Sequence, residues 1–250
     1  MTHPPKPPPL PTTAIKIGDE NFDVELPKIP YLSAIVDFQT RAHLESIELV
    51  HSPIPLFDVA LKGIESGYRH CFRALSTDLA QYHTLCNTYD FLCVDVLGGA
   101  TIDDIKSELK VAKREKELYG ELMLAYSIVE RSRNAAFRLL YLILLGEFKD
   151  EVKDSDKVFC AVRFVVADHE NFMWKTRKII RAAFEDRFVS SAKQRASLDR
   201  DEKTDLANLG AEYYSDESTE WWSAYSYSGY DDSSCGIGET EINLDDESDF

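Results

Sequence analysis

The sequence predicts an α+β domain, then an all-helical extension, then a disordered acidic tail. Alternating apolar residues near the N-terminus, a purely helical apolar period from residue 101, and a sharply uneven charge distribution predict this layout. The 250 residues carry a formal charge of −16. From Thr204 to Phe250 there are 13 acidic residues and no Lys or Arg, so this stretch alone carries −13. The rest holds 31 acidic against 28 basic residues, a balance of −3. Such a distribution excludes a generally basic nucleic-acid binder and argues against an anionic membrane surface as partner.

The elements follow in order. Residues 1–13 form a Pro-rich arm, extended and disordered, because Pro4, Pro5, Pro7, Pro8, Pro9 and Pro11 favour polyproline geometry. Pro8 and Pro11 have PxxP spacing but lack the flanking base that orients SH3-type ligands. In residues 14–98, Ile15 and Ile17 alternate with polar neighbours, the Gly18–Asn21 stretch supplies turn chemistry, and Phe22, Val24 and Leu26 alternate again. This pattern is a hairpin. Pro30 opens a helix from Tyr31 to Phe38, and Ile47, Leu49 and His51 mark another short strand. Pro55 starts a second helix with Phe57, Ala60, Leu61 and Ile64 on one face and Gly67 past its end. Asp78 caps a third helix, with Leu79, Tyr82, Leu85, Cys86 and Tyr89 as its apolar positions.

Residues 101–198 read as the helical extension. Thr101 and Asp104 have capping-box spacing, and Ile105, Leu109, Ala112, Tyr119, Leu122, Tyr126 and Val129 recur at the helical period. An interruption is expected at Ser132-Arg133-Asn134, before an apolar helix through Phe137, Leu140, Tyr141 and Leu144 to Gly146. After a charged turn, one helix is expected from Lys157 to about Ala196, because no Gly or Pro interrupts residues 147–209. Residues 199–250 read as the disordered acidic-aromatic tail. Trp221, Trp222 and Tyr225 there are candidate interaction residues, since acidic-aromatic segments insert rings into a partner's groove. A transcription-related regulator acting through this tail is the alternative to an interaction module.

Little in the chain points to catalysis. No GxSxG elbow, HExxH pair or phosphate-binding Gly loop occurs, and no enzyme activity or cofactor is expected. His70, Cys71, His83, Cys86 and Cys93 form the one grouping of metal-binding types, but they lack a second close-spaced pair for zinc. A metalloenzyme is therefore the least favoured reading. If one helix ran from residue 86 to 93, both cysteines would share a face of it. The five cysteines include no CxxC pair, the N-terminus lacks a signal-peptide core, and the apolar runs are too short to span a bilayer. A cytoplasmic or nuclear location is expected.

The segments Phe22-Asp23-Val24-Glu25 with Ile29, Ser33 and Val36, then Phe57 with Ala60-Leu61, then Tyr89-Asp90-Phe91-Leu92 with Leu97, stand in a familiar order. Residues 15–97 thus resemble a BTB/POZ domain, a fold of short strands packed by helices. Glu25 replaces the family's usual His, and the stretch from Lys28 to Leu32 looks closer to potassium-channel tetramerisation domains. The resemblance implies a protein–protein interaction module. It would form a homodimer or larger assembly, or serve as an adaptor to cullin-3 ubiquitin ligases or transcriptional co-regulators. It also implies that the Tyr31–Phe38 helix supplies the self-association contact, with Tyr31, Leu32 and Ile35 as candidates.

Overall fold

The computed structural model describes residues 12–42, 49–119, 122–148 and 151–208, with side chains for all of these except 112–119, 122–128, 151–153 and 203–208. The described chain is α+β and mostly helical. Strands β1 (Thr13–Ile17) and β2 (Glu20–Val24) form an antiparallel hairpin, and β3 (Val50–His51) adds to β1 in parallel, giving the order β2-β1-β3. Gly18 takes φ +61° in the two-residue connection, which suits the first central position of a hairpin turn that demands positive φ. Its amide also donates to the His51 carbonyl at 2.9 Å, so the turn itself receives the third strand. Of the strand expected through Ile47, Leu49 and His51, the structure shows Val50–His51; Leu49 precedes it and Ile47 lies outside the described residues.

The helix α1 (Pro30–Arg41) contributes Leu32 to the same core that holds Ile15, Ile17, Val24 and Ile29. Helix α2 (Phe57–Ser66) follows, then a short helix, α3 (Arg69–Ala74), which periodicity does not announce. The side chain of Asn134, 65 residues later in the chain, accepts the Arg69 amide at 3.1 Å and so satisfies the first turn of α3. A partner so remote leaves no local signature. Helix α4 (Leu79–Phe91) is capped by Asp78, whose carboxylate accepts the Ala80 amide at 3.0 Å, as the sequence predicts.

Cys93 does not continue α4. It sits at φ +56°, its amide bonded to Asp90 and the next amide, of Val94, bonded to Tyr89. That is a Schellman termination, and it turns Cys93 outward while Cys86 stays buried.

Helix α5 (Ile102–Tyr119) opens with the predicted capping box: the Thr101 amide donates to Asp104 Oδ2 at 2.9 Å and the Asp104 amide returns to Thr101 Oγ1 at 3.3 Å. Helix α6 (Leu122–Leu145) runs straight through Ser132-Arg133-Asn134, where an interruption was expected. These polar residues are absorbed individually. Ser132 Oγ bonds the Val129 carbonyl, Arg133 Nε bonds the Asn171 carbonyl, and Asn134 caps α3. Beyond them α6 buries Ala135, Ala136, Phe137, Leu139, Leu140, Leu142, Ile143 and Leu144, almost its whole circumference, as a central helix does.

The single helix expected from Lys157 to Ala196 is three: α7 (Glu151–Ala167), α8 (Trp174–Arg187) and α9 (Ala192–Asn208). The first break is a turn bridged by Asp168, which accepts both the amide of Asn171 three residues on (3.1 Å) and its side-chain nitrogen (2.7 Å). The second is a reciprocal capping box: the Ser191 amide donates to Gln194 Oε1 and the Gln194 amide to Ser191 Oγ. Both stops use side-chain hydrogen bonds, so neither needs Gly or Pro. Residues 199–208, expected to be disordered, belong to α9. Asp201 is buried there and pairs with Arg163 at 2.8 Å, while Arg181 of α8 bonds Asp199 and Glu202. Residues 209–250 lie outside the described structure.

The boundary expected near residue 98 does not separate two cores. Phe137 of α6 stacks on Tyr68 (5.3 Å between ring centres) and meets Phe72 and Tyr89 edge-on (5.8 Å each). Under it, Gly63 of α2 lets the Tyr89 hydroxyl reach the Ala60 carbonyl at 3.2 Å. A Cβ at position 63 would lie 2.1 Å from that hydroxyl and 3.0 Å from Cys71 Sγ. Gly63→Ala is accordingly expected to lower stability by about 2 kcal/mol despite its better helix propensity. In a Tyr89→Phe background, where the hydroxyl is gone, the penalty should shrink. Urea denaturation of the four proteins measures this cycle, and an additive result would contradict the packing described.

Candidate interaction surface

Helical spacing divides α1 into two faces. Leu32 is 2% exposed and belongs to the core, so it is withdrawn from the self-association contact in which the sequence reading placed it. It lies about 100° round the helix from Tyr31. Tyr31 and Ile35 are half-buried, and Phe38, one further turn along on their side, is 73% exposed. The outward face is thus carried by Phe38, with Tyr31 and Ile35 packed along the edge of the core beneath it.

Tyr31 extends this face onto neighbouring elements. Its ring lies 4.5 Å from that of Phe91 at the end of α4 and 5.6 Å from that of His51 on β3, with Phe91 and His51 6.2 Å apart. His51 Nδ1 donates to the Ser52 carbonyl (2.7 Å), which leaves Nε2 of the neutral ring to accept from the Tyr31 hydroxyl (3.0 Å). The Tyr31 amide donates to the Leu92 carbonyl at 3.2 Å, tying the start of α1 to the end of α4. Phe91 is 46% exposed and Val50, beside His51 on β3, is 56% exposed. Three of the six large apolar side chains left exposed among the described residues therefore border α1 or touch a residue that does.

Elsewhere the chemistry is quiet. Cys71 Sγ lies 3.4 Å from the Tyr89 hydroxyl in the core, and burial pushes its thiol up to about 12. Burial likewise raises Cys86, Tyr82 and Tyr89. Thiols held protonated in this way are poor nucleophiles and poor metal ligands. Among the described residues, no three His, Cys, Asp or Glu side chains gather closely enough to hold a metal, and no helix is long and apolar enough to cross a membrane. Two of the four bases in the run from Lys175 to Arg181 are held by the protein itself. Arg177 reaches the Val166 carbonyl, and Arg181 bonds Glu185, Asp199 and Glu202. Trp221, Trp222 and Tyr225, the candidate tail residues, lie outside the described residues.

The buried thiols and phenols make stability depend on alkaline pH. Their protons are held in the fold and released in the unfolded chain, whose thiols have the ordinary value of 9.0. The unfolded state therefore binds fewer protons above that value, and stability falls as pH rises from 9.0 toward the folded-state value of about 12 for Cys71. Urea midpoints should drop between about pH 7 and about pH 10, less steeply in a Cys86→Ala variant. Thiol labelling followed by mass spectrometry should modify Cys93 in the folded protein, and Cys71 and Cys86 only after unfolding.

Compared with known family models, curated proteins and solved structures, the chain matches none.

Proposed function

We propose that this chain is a non-enzymatic interaction module of BTB/POZ type that self-associates through the outward face of α1. It would act as an adaptor, with cullin-3 ubiquitin ligases or transcriptional co-regulators as the partners that the resemblance implies. The observation that carries the reading is the exposure of Phe38 on the same side of α1 as Tyr31 and Ile35, with the half-exposed Phe91 against Tyr31 at the other end of that side. A large aromatic left in water amid other apolar groups is the composition of an interface anchor.

Two further observations support the reading. The motif residues that carry the resemblance lie within regular elements: Phe22 and Val24 on β2, Ser33 and Val36 on α1, Phe57, Ala60 and Leu61 on α2, and Tyr89 to Phe91 at the end of α4. The chain preceding Thr204 is also nearly neutral at −3, so two copies can approach without strong repulsion.

Light scattering on the full chain at tens of micromolar tests the proposal. The expected mass is that of a dimer or larger assembly. Phe38→Asp should weaken association about thirtyfold, the effect of removing one interface anchor, without moving the urea midpoint. A monomeric wild type, or an intact assembly in the variant, would remove the self-association reading.

A further inference from the structure

Helix α9 is seated by charge more than by apolar burial. Of its described side chains, from Ala192 to Glu202, only Leu198 and Asp201 are buried. Asp201 pairs with Arg163 of α7 at 2.8 Å, and its side chain is 5% exposed. Arg181 of α8 bonds Asp199 and Glu202, whose side chains stand half in water. Gln194 Nε2 donates to Asp156 of α7 at 3.5 Å. The pair at Asp201 is shielded from salt, whereas the exposed carboxylates on Arg181 are screened by it.

Two of these contacts fix how α9 lies. Gln194 meets Asp156 and Asp201 meets Arg163, each pair 38 residues apart, so α9 runs alongside α7 in the same direction. The same offset sets Leu198 level with Cys160 of α7, a half-buried thiol within one turn of both Asp156 and Arg163. Cys160 therefore lies on the side of α7 that α9 covers.

The entry to α9 is built to let the helix move as a unit. Arg187, at the end of α8, donates to the carbonyls of Ile143 and Gly146 at 2.7 Å each and fixes that end to α6. On the other side, the Ser191–Gln194 capping box and two bonds from Arg195 to the Ser190 carbonyl (3.0 and 3.2 Å) are local to the start of α9. Between the two anchored points, Val189 is 98% exposed. The helix thus carries its own cap, and rotation at Val189 disturbs little packing.

We propose that α9 is a strap that opens as one unit about Val189 when Asp199, Asp201 and Glu202 leave Arg163 and Arg181. The other helices stay folded, because the described part of α9 adds only Leu198 to the shared core. Opening uncovers Cys160 and the apolar seat of Leu198 between α7 and α8. Ionic strength is the condition to which the latch responds, since two of its three carboxylates are half exposed.

The test is hydrogen exchange of the full-length protein, read by mass spectrometry, beside iodoacetamide labelling of Cys160. In about 0.1 M salt, α9 should exchange about a hundredfold faster than the buried part of α6. Raising salt to about 1 M should speed α9 and Cys160 labelling together, several-fold, and leave α6 unchanged. Arg181→Glu, which sets like charges against Asp199 and Glu202, should speed both about tenfold. Adding Asp199→Lys and Glu202→Lys to that variant restores opposite charges and should return both toward the wild-type rates. The proposal is overturned if α9 exchanges in step with α6, or if Cys160 labelling does not follow exchange in α9. It is equally overturned if Arg181→Glu unprotects α6 as much as α9, or if the charge swap fails to restore protection. Protection lost gradually from the C-terminal end of α9, and not along the helix together, would mean fraying in place of a strap.

Discussion

The Tyr89 hydroxyl occupies space that any residue but glycine at position 63 would fill, and the rest of the fold is arranged round that contact. With Gly63 in α2, the phenol passes under the helix to the Ala60 carbonyl and lies against Cys71 of α3. Its ring is then held edge-on by Tyr68 and by Phe137. Four helices of different sequence origin (α2, α3, α4 and α6) meet at one buried side chain. A second contact repeats the logic nearby. Gly67, at φ +95°, lets Asn134 come within 3.0 Å of where its Cβ would be, and Asn134 in turn caps α3. The sheet-bearing half and the helical half therefore share a core and are not a domain with an appendage.

That arrangement decides which surfaces remain. Because α6 is buried on nearly every side, it cannot contribute an interaction face along its apolar stretch. Five of the six exposed large apolar residues among those described fall in two groups, one around α1 and β3 and another at the start of α8, and Val189 stands apart after α8. The first is mainly aromatic, with Phe38 and Phe91. The second is Met173 with Trp174.

How far the sequence could be read follows from where each signal originates. The hairpin, the caps at Asp78 and Thr101, and the helices α1, α2 and α4 were legible because alternation, capping spacing and apolar periodicity are local. Helix α3 was not, since its first amide is satisfied by Asn134, a residue of distant sequence position. The breaks before α8 and α9 were written as Asp168 with Asn171 and as Ser191 with Gln194. A reading that waited for Gly or Pro passed over both, although the Ser-x-x-Gln spacing is a recognised cap. At α1, the burial of Leu32 and the exposure of Phe38 depend on how the helix is rotated against the rest of the core, which no local pattern announces. The ion pairs that seat α9 draw on α7, α8 and α9 together, and no stretch of sequence reveals them.

The claim of one shared core is tested most directly by hydrogen exchange along a urea series, read by mass spectrometry in α2, α4 and the buried part of α6. These helices should lose protection together at one urea concentration, and Phe137→Ala, at a cost of about 3–5 kcal/mol, should lower that concentration equally for all three. If α2 and α4 open at lower urea while α6 stays protected, or if Phe137→Ala shifts α6 alone, the two halves are independent and the account is wrong.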